Sequence, residues 1–125
     1  MMILEREPNR FRGETTATID GEQRILCLTL GALAELETAY GADGLTGLCK
    51  RLSVGHFSAD DLIRIIGAGL RGGGNVVSNN DVASMSIDGG VPETARIAAR
   101  LIISTFGTEQ PSNDMLPNSK SWQID

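Results

Sequence analysis

Asp20-Gly21 separates a threonine-rich run, GETTATID from Gly13 to Asp20, from a run of larger apolar residues that follows Glu22. Asp followed by Gly supplies the backbone conformations that a two-residue type I′ turn demands, and that turn matches the twist of paired strands. It fixes a register in which Ile19 faces Glu22, Ala17 faces Arg24, Thr15 faces Leu26 and Gly13 faces Leu28. Leu26 and Leu28 then mark the core face, while Ile25 and Cys27 turn the other way beside Thr16 and Glu14. A small hairpin with two apolar faces needs helices on both sides, or a second protein on one of them.

Apolar residues from Ile25 to Leu30 extend the second strand, and the period then changes. Leu33, Leu36 and Tyr40, with Ala32 and Ala39, form a helical stripe for which Thr29 is the N-cap. GADG after Tyr40 stops this helix and starts another, whose stripe is Leu45, Leu48, Cys49 and Leu52, with Lys50 and Arg51 in its last turn. Ser58 and Asp61 have capping-box spacing ahead of Leu62, Ile63, Ile65, Ile66, Ala68 and Leu70. A helix so apolar belongs at the centre, and Gly67 and Gly69 allow another backbone to approach it. Ser78 or Asn79 caps a short helix around Asp81 to Met85, and Pro92 opens a long one that ends at Gly107.

These elements predict an α+β fold, with a small N-terminal β-hairpin packed on a four- to five-helix domain. Residues 1–107 are expected to form one domain, and 108–125, polar and without a period, a flexible tail in which Trp122 is the one candidate anchor. At the other end Pro8-Asn9 marks a turn, so Met2 to Leu4 form a short edge strand or lie on the surface.

Composition narrows the function. A net charge of -5 argues against binding a phosphate backbone, which needs clustered Lys and Arg, so no nucleic-acid partner is expected. No signal peptide and no membrane span are indicated, and the expected location is the cytoplasm. Cys27 and Cys49 fit no zinc or CxxC spacing and read as reduced thiols in apolar surroundings. His56, the sole histidine, has no evident triad partner. Asp60-Asp61 suits capping better than paired carboxylate chemistry, and Glu35 and Glu37 stand two apart and do not face each other on a helix. Leu70 to Gly74, LRGGG, completes neither a Walker motif nor GxGxxG, so it reads as a helix terminus followed by a tight, mobile turn. The expectation is a nonenzymatic protein with no cofactor and no metal.

RGE at Arg12 to Glu14, LTLGALAELE at Leu28 to Glu37, LCKRL at Leu48 to Leu52, LIRIIGAGLRGGG at Leu62 to Gly74 and the small-residue last helix occur in an order that resembles the gene transfer agent family of phage-tail proteins. The resemblance runs from Asn9 to Phe106 and is carried chiefly by LTLGALAELE and AGLRGGG. It implies a tail assembly chaperone encoded in a gene transfer agent or prophage tail cluster, binding a tape-measure or tail-tube protein. The alternative is a structural tail component retained in the particle. It implies no catalytic residue.

The surfaces expected to serve such a partner, or a second copy of the chain, are the Ala99, Ile103 and Phe106 side of the last helix and the Ile25 and Cys27 face of the hairpin, with Glu35, Glu37 and Arg71 as a polar rim. Successive helical residues are spread around the axis, so Leu101 and Ile102 are expected inward and Ile103 nearer the rim.

Overall fold

The computed structural model describes residues 13–106. The expected Met2 to Leu4 strand, the Pro8-Asn9 turn and the 108–125 tail with Trp122 lie outside the described residues. Two strands, β1 (Thr15–Ile19) and β2 (Glu22–Leu26), precede five helices: α1 (Leu30–Tyr40), α2 (Ala42–Ser53), α3 (Ala59–Gly72), α4 (Asn79–Ala83) and α5 (Gly90–Phe106). The fold is α+β, as the hairpin signal and the succession of stripes predict.

Asp20 and Gly21 both take positive φ, 51° and 84°, which is the type I′ requirement. The antiparallel register pairs Thr15 with Leu26, Ala17 with Arg24 and Ile19 with Glu22, as the turn dictates. Ala17, Ile19 and Leu26 are buried on the core side. The expected Gly13–Leu28 pair does not form, because β2 stops at Leu26. There the Cys27 amide donates to the Gly69 carbonyl of α3 at 2.9 Å, so the chain leaves the hairpin to bond to the helix. Leu30, expected as the end of the strand, instead begins α1 and is exposed. A third extended segment, absent from the sequence reading, lies along β1. Ile87 bridges Ile19, the Asp20 amide donates to Ser86 O at 2.8 Å, and the Asp88 amide donates to Thr18 O at 2.9 Å.

The caps follow the sequence closely. Thr29 accepts from the Ala32 amide at 3.1 Å. Ser58–Asp61 and Ser78–Asp81 each close a reciprocal capping box, satisfying amides that have no partner within the helix. Gly41 both ends α1 and precedes α2.

α3 is the central element, packed against α1, α4, α5 and β2. Ile65, Ile66, Ala68 and Leu70 are almost wholly buried, and α5 meets them with Ile97, Ala98, Leu101 and Ile102. Gly69 lies against Leu26 and Leu101, where a Cβ would come within 2.9 Å of Leu101 Cδ1. Gly72 and Gly73 depart from the mobile-turn expectation. A Cβ on Gly72 would overlap the Cys27 carbonyl, and one on Gly73 the Ile25 carbonyl, so the glycines admit the β2 backbone to the end of α3. Asn75 locks this junction, donating from Nδ2 to Ile25 O at 3.1 Å and Leu70 O at 3.0 Å while its Oδ1 accepts from Arg24 at 3.0 Å.

Candidate functional site

Two of the three side chains expected to form a polar rim, Glu35 and Arg71, are bound to one another. Arg71 donates to Glu35 from Nη2 at 2.6 Å and from Nε at 3.0 Å, tying α3 to α1. Its remaining donors reach Val77 O and Asn79 Oδ1, each at 3.1 Å, so the guanidinium also holds the connector into α4. Arg71 is therefore an internal brace. The amides of the glycine run are occupied as well: Gly73 donates to Gly69 O and Leu70 O, Gly74 to Arg71 O, and Asn75 to Leu70 O. A helix C-terminus that uses its amides in this way makes no anion nest.

A second knot joins α1, α2 and α3. Asp61, 6% exposed, accepts from Tyr40 Oη at 2.6 Å, from Arg51 Nη2 at 3.0 and 3.1 Å, and from the Ser58 amide at 2.9 Å. Burial pushes the Asp61 carboxyl up, but the bonds from Tyr40, Ser58 and Arg51 together outweigh burial and hold it below the usual carboxylate range. Tyr40 is pushed the other way, by burial first and then by its bond to the Asp61 carboxylate. Burial also raises the Cys49 thiol, which leaves less of the nucleophilic thiolate. His56 is exposed, and among the described residues no cluster of His, Cys, Asp and Glu could hold a metal ion.

Of the surfaces expected to meet a partner, the apolar side of α5 remains open. On α5, Ile103 is 63% and Phe106 47% exposed, with Ala99 half-buried on the same stripe, while Leu101 and Ile102 are buried. Ile25 is half-buried and Glu37 exposed. Cys27 needs correction as a surface candidate: it is buried at the junction between β2 and the end of α3, whereas Ile25 keeps partial exposure.

An apolar groove of about 550 Å³ opens between α3, α4 and the start of α5. Phe57, Leu62, Ile63, Ile66, Val82 and Met85 form its floor and walls, and Val91, 64% exposed, stands at its mouth. Sequence reasoning missed it. Phe57 falls between helical stripes, and Met85, expected in the short helix, lies beyond the end of α4 in the segment that the Ile19–Ile87 bridge holds against β1.

A family model described as "Phage tail tube protein, GTA-gp10" matches residues 12–108. The chain belongs to this family. The GTA-gp10 match spans both strands and all five helices, so the hairpin, the α3 hub and the apolar side of α5 are all features of a phage-type tail protein. Neither curated proteins nor solved structures give a significant match. No helix among the described residues of this tail protein is long and apolar enough to cross a membrane.

Proposed function

We propose that this GTA-gp10 family member acts without catalysis, as a structural component of a phage-like or gene transfer agent tail that is retained in the particle. The observation that carries the reading is the family match across residues 12–108, whose description names the tail tube. Its chemistry agrees. Asp61, Glu35 and Arg71 bind helix to helix, and Asp81 caps one, so these charged groups are engaged in supporting the fold. The exposed Ile103 and Phe106 offer the apolar area that association with a tape-measure or tube protein would cover.

A second reading, a transient tail assembly chaperone, draws support from the apolar groove beside α3, which would suit an apolar segment of an unassembled client. Quantitative mass spectrometry of purified particles separates the two. Protein present in fixed ratio to other tail proteins supports the structural component. Protein abundant in producing cells but absent from finished particles overturns it in favour of the chaperone.

A further inference from the structure

Two clefts flank the turn that leads into α5. Ser86, Ile87 and Gly90 line the apolar groove, whereas Asp88 and Gly89 between them line a polar cleft of about 350 Å³ together with Thr16, Glu93 and Arg96. On α5 the alternation continues, with Thr94 at the groove and Glu93 at the cleft. No charged residue among the described ones lines the groove. In the cleft, Glu93 is held by Arg96 and Arg100, while Asp88 forms no ion pair among the described residues and is the carboxylate open to a cation. An occupant that suits both carries a large apolar side chain with a basic one close beside it.

The chain carries such a pair itself. In Lys120-Ser121-Trp122 its sole tryptophan stands two residues after the one Lys or Arg that follows Arg100. Residues two apart in an extended segment share a face at a spacing of about 7 Å, so an indole in the groove brings Lys120 toward Asp88 across the turn. Reach permits this. The 15 residues from Val91 to Phe106 rise about 22 Å along α5, and the 16 from Phe106 to Trp122 extend up to about 50 Å. Met115 and Leu116 come sooner after α5 and have no basic residue within three positions. Met2 to Leu4 have Arg6 nearby, but Glu5 and Glu7 on either side of it would meet Asp88 with like charge. In the groove, Met85 offers the sulfur that an aromatic ring favours, and the Ser86 and Thr94 hydroxyl oxygens are suited to accept the indole N–H.

We propose that Trp122, from the segment that follows α5 in the same chain, fills the apolar groove, with Lys120 at Asp88. The groove is then covered within a single chain. An apolar segment of another protein gains it only by displacing Trp122, and its apparent affinity falls to the fraction of the groove left open. The contact is intramolecular, and it holds whether the protein stays in the particle or leaves it.

Trp122 is the only tryptophan, so the fluorescence of the full chain reads its surroundings directly. Wild type is expected to emit to the blue of N-acetyltryptophanamide and to be quenched by acrylamide several-fold less, with neither property changing on dilution. Val91→Lys and, separately, Ala83→Arg place a cation at exposed groove positions and are expected to return emission and quenching to those of the free compound. Asp88→Lys is expected to move both part of the way. Ile103→Asp, at the far end of α5, is expected to leave both as in wild type. Circular dichroism checks that each variant is folded. Wild-type emission like that of the free compound, a blue shift that survives both folded groove variants, or one that Ile103→Asp abolishes overturns the proposal. So does a shift lost on dilution, which assigns the groove to a second copy, and a folded Asp88→Lys identical to wild type overturns the Lys120 contact.

Discussion

Tyr40 donates its hydroxyl proton to Asp61 at 2.6 Å, joining the last residue of α1 to the first turn of α3. The same carboxylate takes Arg51 of α2 and the Ser58 amide, so one buried side chain caps α3 and fastens two other helices to it.

Removing the charge while keeping the shape is expected to be costly, because Tyr40 and Arg51 would lose an ionised acceptor in a half-buried position. Asp61→Asn should lower the unfolding free energy by about 2–4 kcal/mol. Tyr40→Phe, which removes only one donor, should cost about 1 kcal/mol. Urea denaturation followed by circular dichroism gives both values, and equal losses would show that Arg51 and the cap add nothing.

The same knot sets a pH dependence. The folded-state value of Asp61 is depressed, so its contribution is full above the ordinary aspartate value of about 4 and is lost as pH falls through the lower folded-state value. Tyr40 has a raised value, so its contribution is full below about 10 and declines as pH rises beyond that. Stability should therefore fall on the acid side less steeply in Asp61→Asn, and on the alkaline side less steeply in Tyr40→Phe. Thermal melts at pH 3, 5, 7 and 10.5 would reveal it, and profiles parallel to wild type would contradict it.

Glycines at two places should respond with opposite sign. Gly72 and Gly73 sit where a Cβ meets the Cys27 and Ile25 carbonyls, so alanine at either must push β2 away from α3, at about 2 kcal/mol or more. Gly47 lies inside α2 with nothing within 4 Å of its would-be Cβ. There alanine should stabilise by about 0.5–1 kcal/mol through helix propensity. Chemical denaturation of the three variants checks the reversal.

Local chemistry was legible where the signal is itself local. Asp20-Gly21 set the register of three strand pairs, and Thr29, Ser58 and Ser78 each accepted the amide that their spacing implied. What the sequence hid depends on residues far apart in the chain. Glu35 and Arg71 read as two exposed charges until folding places them 2.6 Å apart. Gly72 and Gly73 read as a loose turn because the carbonyls that require them, Cys27 and Ile25, lie at the end of β2 and just beyond it, some 45 residues earlier. The groove needs Phe57, Met85 and Val91 to meet across three segments, and no period in the sequence joins them.

Ile102 and Ile103 provide the sharpest contrast on α5, since they are adjacent and chemically identical but turn about 100° apart around the helix. Ile102 is 4% exposed and belongs to the core with Ile97, Ala98 and Leu101, whereas Ile103 is 63% exposed. Aspartate at 102 would bury a charge without a partner, and the cost of about 3–5 kcal/mol is a large share of a small domain's stability. Aspartate at 103 stays in water and should change monomer stability by about 0.5 kcal/mol or less. Circular dichroism melts at low concentration, where association is absent, isolate the folding effect. If Ile103→Asp melts as early as Ile102→Asp under those conditions, Ile103 serves the core of the monomer, and the projecting end of α5 is not a surface kept for contact with another protein.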